Sequence, residues 1–402
     1  MDCENLKATR QSYGEKLAEL GEKNKDIIVL DADLSAATKT SIFAKKFPER
    51  FFDMGIAEQD MISTAAGLAT FGKTVFASSF AMFASGRSYD QIRNSIAHPK
   101  LNVKICASHA GITVGEDGAT HQMLEDLSMM RGLPNMTVMC TSDDKETKWA
   151  VEEISKIDGP VYLRLCRLNT PQIYGEEQSF KIGKGIQIGE GTDATVFATG
   201  VVVPEAVKAK EELEKQGINI RVVDIHTIKP IDKELIIKCA KETKKLISIE
   251  DHNIIGGLRK CYFRSVNRGI SCEINKNGNE RQIREVWPSK RIIKVFWING
   301  RRYNKGNKII YYKKMTISWK MSFFIAFLRY YYYNINVYLS KRGQNMIEFK
   351  NVYKTYSTGT EAVNNANFKI EKGEFAFLVG ASGSRKINSY KANIKRGRTN
   401  IR

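Results

Sequence analysis

Residues 51–71 read FFDMGIAEQDMISTAAGLATF. The stretch starts extended and apolar, turns at Gly55, sets down Glu58 and Gln59, and continues as a small-residue helix. Ile62, Ala65, Ala66 and Ala69 recur at helical spacing. A helix lined with such small residues packs closely on most sides, so Glu58 falls in the first turn of a buried helix. A carboxylate is costly there unless a donor reaches it. The bland alternative is an acid that complements the helix dipole. Two stretches downstream favour a functional role. Phe76–Phe83 (FASSFAMF) supplies aromatic faces, and His109–Gln122 (HAGITVGEDGATHQ) puts two histidines and Asp117 on a Gly-rich loop.

Outward from this stretch, strands and helices alternate. Residues 7–23 read as a helix and 26–33 (DIIVLDAD) as a buried strand ending in acids. Strands follow at 74–78, 102–107, 136–140 and 160–165, with helices at 82–97, 122–131 and 144–156 and a loop at 109–121. Alternation at these lengths implies a parallel sheet with helices on both faces. Functional residues then belong on loops after strand carboxyl ends. A second unit has a hairpin-like stretch at 180–190, strands at 193–199, 218–224 and 245–250, and helices at 204–216 and 233–243. HTIKPID reads as a turn stopped by proline, and EDHNIIGGL (250–258) opens a further helix. From Arg259 no period of a strand or helix is sustained.

GIAEQ, SSFAMF, ASHAGITVGEDGATHQ and VYLRLCRLNTP resemble, in this order, the thiamine-diphosphate enzymes of the transketolase family. The likeness runs over roughly residues 5–258 and is to the carboxyl-terminal half of that family. It implies an α/β fold: a pyrimidine-binding domain over 1–175, then a transketolase C-terminal domain over 179–258 that stops incomplete. The resemblance also assigns roles. Glu58, its pKa raised by burial, would hydrogen-bond N1′ of the cofactor's pyrimidine. Phe80 and Phe83 would pack that ring, ordinary core being the alternative. Asp33 matches a position near the thiazolium, though it could equally cap the next helix. His109, Asp117 and His121 would address a sugar's hydroxyls and carbonyl. Arg167 would bind substrate phosphate, with Arg164 competing for that role. Gly86 stands where the family often has an aromatic residue. The Gly-Asp-Gly…Asn motif that holds diphosphate and Mg²⁺ is missing here, so a separate amino-terminal subunit would supply it, in a homodimer of heterodimers.

A net charge of +19 ordinarily points to a polyanion. Residues 259–402, however, hold 31 Lys and Arg against 7 Asp and Glu, so the part before them is mildly acidic. Nucleic acid is therefore not an expected partner. Cys3, Cys106, Cys140, Cys166, Cys239, Cys261 and Cys272 show no CxxC and no metal-ligand spacing, which fits a reducing cytoplasm. The charged start MDCENLKATRQSYGEKLAEL reads as an amphipathic helix and not a signal peptide. The apolar core Met321–Leu328 falls far short of a membrane span, leaving only a membrane-surface segment as the alternative to translated intergenic sequence for 309–340.

The tail invites a reading-frame argument. Arg259–Phe263 has codons from which loss of one base gives Gly-Ser-Ala-Ile-Ser, a fitting continuation of IIGGL; a genuine basic insertion is the alternative. Residues 259–345 would then be a disordered, frameshifted segment. From Met346 the chain resembles the first strands of an ABC-type cell-division ATPase, with Tyr356 in the adenine-stacking place. Gly380–Lys386 (GASGSRK) approaches a phosphate loop, but Arg385 replaces its second Gly and Ile387 its Ser/Thr. One lost base there restores Gly-Lys-Ser-Thr-Leu. Residues 346–402 would thus be a fragment with a broken Walker A that cannot hydrolyse ATP.

Two expectations of different class follow. Residues 1–258 are the C-terminal subunit of a split transketolase moving a two-carbon ketol unit between phosphosugars; a 1-deoxyxylulose-5-phosphate synthase-like condensation of pyruvate with a triose phosphate is the enzymatic alternative. Otherwise the whole chain is a non-functional fusion product, its cut domain exposing apolar sheet.

Overall fold

Thr74–Phe80 and Val103–Ser108 are buried along their whole lengths, as parallel strands covered on both faces must be. They form the centre of a sheet in a computed structural model that describes residues 2–243, 245–258, 273–279, 347–355 and 361–370. The positions of both inferred frame slips, residues 309–340, Tyr356 and Gly380–Lys386 lie outside the described residues. The chain divides into Met1–Tyr303 and Asn304–Arg402. In the second unit, Ile347–Thr355 and Glu361–Ile370 pair as an antiparallel hairpin.

The strands of the first unit are, in chain order, β1 (Asp2–Ala8), β2 (Ile27–Asp31), β3 (Phe51–Asp53), β4 (Thr74–Phe80), β5 (Val103–Ser108), β6 (Thr137–Cys140) and β7 (Val161–Arg164). They continue as β8 (Asn169–Gln172), β9 (Ile186–Ile188), β10 (Ala194–Ala198), β11 (Ile220–Asp224), β12 (Thr227–Lys229), β13 (Lys245–Asn253) and β14 (Glu273–Asn279). A seven-stranded sheet runs β12-β6-β7-β5-β4-β2-β3, parallel except for β12. A five-stranded sheet runs β14-β13-β10-β11-β9, with only β9 antiparallel. Helices cover both faces of the larger sheet. Met61, Ile62 and Ala65 of the helix Glu58–Thr70 pack on one side, and Tyr13, Leu17, Val151 and Ile154 on the other. No helix among the described residues is long and apolar enough to cross a membrane.

Five local expectations are corrected. The chain starts as strand β1, antiparallel to β8, and the helix begins only at Thr9. Residues 180–190 make no hairpin, because their one strand, β9, finds its partner in β11. HTIKPID contains β12, which leaves its own domain and pairs with β6 of the first. After Gly257 the second sheet gains β14, parallel to β13; a strand added through backbone bonding needs little side-chain pattern to betray it. Finally, the helix expected over 82–97 is mostly two π-helical segments, Met82–Arg87 and Ile92–Ala97. Ser85 and Ser88 hydroxyls donate to the carbonyls of Ala81 and Ala84, competing with α-helical bonding.

The two domains meet over buried acids. Ser142 Oγ lies 2.8 Å from Glu146 Oε2 and 3.0 Å from Asp224 Oδ2, and the Tyr174 hydroxyl donates to Asp224 Oδ2 at 2.8 Å. One hydroxyl carries one proton, so it cannot donate to two carboxylates at once. Burial pushes Glu146 well above the usual carboxylate range and Asp224 up to about 7. For a carboxyl raised on folding, stability is full below about pH 4 and is lost as pH climbs to about 7. Asp224→Asn removes that loss while keeping an acceptor for Tyr174. Its melting temperature, followed from pH 4 to 8, is expected to gain on the wild type by several degrees and then level off. Parallel curves would show that Asp224 does not titrate in this window.

Candidate active site

The site lies where the carboxyl ends of β3, β4, β5 and β7 open into loops. Glu58, in the first turn of its helix, is 2 % exposed. Its partner is Arg87, whose Nη1 donates to Glu58 Oε2 at 2.8 Å. The expectation of a buried acid that needs a donor is thus met by a residue the sequence did not single out. Arg87 closes a π-helical turn, which aims it back at the helix start, and its guanidinium sits 4.9 Å from the Phe83 ring centroid.

From Phe83 the aromatic contacts run on. Phe80 and Phe83 lie nearly parallel with centroids 6.3 Å apart, and the His121 ring meets Phe83 edge-on at 5.1 Å. Phe80 stacks on His109 at 3.8 Å. His109 takes a left-handed backbone, φ +58, uncommon for a side chain of its size and a form of strain that clusters at functional sites. Its Nε2 is 3.3 Å from Arg10 Nη1 and its Nδ1 is 2.9 Å from Ser108 Oγ. Arginine only donates, so Nε2 accepts and the ring proton belongs on Nδ1. Burial, with Arg10 and Arg167 nearby, lowers the His109 pKa to about 3, so the ring is neutral near pH 7.

Arg10, on the helix Thr9–Lys23, is the other residue missed from sequence. It lies within electrostatic reach of Arg167 and of Asp117, which is exposed on the loop. Arg167 is partly exposed; it donates to Val114 O at 2.7 Å and lies 3.7 Å from Glu116. Arg164, by contrast, is buried and spent: Nε donates to Asp126 Oδ2 at 2.7 Å and Nη2 to Asp126 Oδ1 at 3.2 Å. Asp33 is exposed with φ +57, and its backbone N–H donates to Asp53 Oδ1 at 3.0 Å. No hydrogen bond or ion pair joins Asp33 to the ring and arginine cluster among the described residues. Asp31, two residues earlier, is the strand-end acid whose carboxylate is bonded: it accepts from Leu34 N and from the Thr38 and Thr40 hydroxyls. The site therefore gathers Glu58, Phe80, Phe83, His109 and His121 directly, with Arg167 and Asp117 at its rim.

The pyrimidine-binding domain of transketolase matches residues 6–172, and the transketolase C-terminal domain matches residues 183–274. A protein of Methanocaldococcus jannaschii described as a transketolase C-terminal section is 56 % identical over 254 residues, 63 % of this chain and 79 % of its own length. This chain belongs to the transketolase family. A 6-deoxy-6-sulfo-D-fructose transketolase subunit of Clostridium sp. (strain MSTE9) is 43 % identical, covering 62 % of this chain and 77 % of that protein. Among solved structures, a split-gene transketolase in an inactive beta4 tetramer superposes with TM-score 0.67 at 45 % identity, over 72 % of this chain and 93 % of that one.

Membership of the family implies thiamine diphosphate and a divalent metal. The described residues fit the organic part of that pair. A buried carboxylate stands at a helix start, with aromatic faces and a neutral imidazole close by. They contain no cluster of acids, histidines or cysteines able to hold a metal ion.

Proposed function

We propose that this chain is the C-terminal subunit of a split transketolase, a thiamine-diphosphate-dependent transferase that moves a two-carbon ketol unit between phosphosugars. The observation that carries the reading is the row Glu58–Arg87–Phe83–His121–Phe80–His109–Arg10, each member in contact with the next. One end offers a carboxylate to a heteroaromatic ring, and the other offers guanidinium groups to an anion. Bound cofactor would supply a nucleophilic carbon at which the donor sugar is cleaved. Glu58 would keep a proton at the pyrimidine nitrogen, and Phe80 and Phe83 would hold the ring plane.

His109, neutral, would accept and donate protons at the sugar's hydroxyls and carbonyl together with His121 and Asp117. Arg167 and Arg10 would grip the phosphate, or a sulfonate of like shape. Arg164 is committed to Asp126. The diphosphate and its Mg²⁺ would be held mainly by an amino-terminal partner subunit, in a homodimer of heterodimers. The inactive state named for the beta4 relative accords with that division of labour.

The test mixes the chain with its amino-terminal partner and supplies xylulose 5-phosphate with ribose 5-phosphate. Ketol transfer is expected, with Arg10→Gln and Arg167→Gln each raising KM for the phosphosugar roughly 10- to 100-fold, as loss of a charge-assisted contact should. Condensation of pyruvate with a triose phosphate instead would replace this reading by the synthase-like one.

A further inference from the structure

We propose that Asp251, on the C-terminal domain, is a positioning residue for the loop that carries His109, Asp117 and His121. The proposal rests on the reading of that loop as substrate-binding. The loop's own backbone bonds lie at Gly111, whose N–H donates to Met123 O, and in its later part, from Gly118 N to Gly115 O and from His121 N to Gly118 O. Its short 3₁₀ turn, Ile112–Asp117, follows Gly111 at φ +79, contains Gly115 at φ +74, and has no side-chain cap from its preceding residue. The first N–H groups of any such turn lack partners within it. Here they are taken from the other domain. Asp251 Oδ1 accepts from Ile112 N at 3.1 Å, and Oδ2 accepts from Thr113 N at 3.4 Å and from Thr113 Oγ1 at 2.6 Å.

The brace is itself held firmly. Asp251 is 5 % exposed, and its carbonyl accepts from Arg164 Nη2 at 2.8 Å, the guanidinium that also grips Asp126 and Met123 O. Two residues on, Asn253 N donates to Leu124 O at 3.0 Å, so β13 closes the far side of the loop as well. Gly111 shows how closely the parts fit: a Cβ there would come within 2.0 Å of Asp251 Oδ2. Three donors converging on one buried carboxylate make a specific polar clasp, whereas apolar packing could have docked the domains without fixing the loop. The C-terminal domain contributes no side chain to the ring and arginine cluster among the described residues. Through Asp251 it nonetheless sets the histidine loop.

The experiment uses the full chain with three variants, Asp251→Asn, Asp251→Ala and Thr113→Val. Amide hydrogen exchange is read at Ile112 and Thr113, and kcat and KM in the complex with the amino-terminal partner. Asp251→Ala should speed exchange at both amides roughly 10-fold or more while β4 stays protected. It should lower kcat by up to about 100-fold with cofactor affinity unchanged, because the loop's groups are misplaced and not lost. Asp251→Asn, which keeps an acceptor oxygen, should fall between, and Thr113→Val should show the same pattern, weaker, if Asp251→Ala proves unstable. Unchanged amide protection overturns the proposal, and so does an undiminished kcat in a variant whose amides have loosened. If the wild-type complex transfers no ketol unit, the functional reading fails, while the amide exchange still decides whether Asp251 holds the loop.

Discussion

Glu58→Gln is expected to leave the chain folded and able to join its partner, yet to remove most hydrogen–deuterium exchange at the cofactor's reactive carbon. The amide is isosteric, and its oxygen still accepts from Arg87 in place of Glu58 Oε2, so the 2.8 Å contact survives as a hydrogen bond. What the amide cannot do is share a proton with a ring nitrogen through its second oxygen. One positioned acid–base group is worth about 10²- to 10⁴-fold, and the loss of exchange should reach that range. The competing view makes Glu58 a helix-start acid paired with a half-exposed arginine. On that view the same change costs under about 1 kcal/mol and leaves exchange as it was. Measuring exchange in the reconstituted complex, with the melting temperature as a control for folding, separates the two. An unchanged rate in a well-folded variant would falsify the role given to Glu58.

Much of this site was legible because it follows from local pattern. Apolar runs such as TVFASSF can only be interior strands, and their carboxyl ends and the segments that follow carry Phe80, Phe83, His109 and His121 to one edge. Contacts that cross long stretches of chain were not legible. Arg10 sits on a helix with an ordinary charged pattern, and only folding brings it to His109, 99 residues on. Arg87 needed the π-helical geometry of Met82–Arg87 to reach Glu58, and a regular helix drawn through 82–97 hides it. The EDHN stretch reads as the opening of a helix, whereas β13 runs on to Asn253, and nothing in its composition says that Asp251 will bind a loop 138 residues away. Asp33 was legible only as a pair of alternatives. A strand-end acid suggested a ligand or a cap; the Asp33 backbone is tied to Asp53, and it is the Asp31 carboxylate that takes the Leu34 N–H and the Thr38 hydroxyl.

Arg164 ends β7 and Arg167 follows it by three residues, and their substitution should separate structure from binding. Arg164→Met keeps much of the side-chain volume but strips Asp126 of its cation, and Asp126 is fully buried. The Tyr162 hydroxyl, donating at 2.8 Å, remains its hydrogen-bond partner but carries no charge. Breaking one half of a buried pair costs about 3–5 kcal/mol, mostly through the charge left behind. In a protein of this size that is a fall in melting temperature of about 5 °C. The double variant Arg164→Met with Asp126→Leu should recover much of it, since well-packed apolar groups often replace a buried pair without loss. Arg167→Gln should instead hold its melting temperature within a degree or two, because a partly exposed ion pair at 3.7 Å adds little, while its KM for phosphosugar rises. Were Arg164 the phosphate ligand, its substitution would raise KM and spare stability. The buried pair with Asp126 requires the reverse, so calorimetry and kinetics on the same two variants assign each arginine its role.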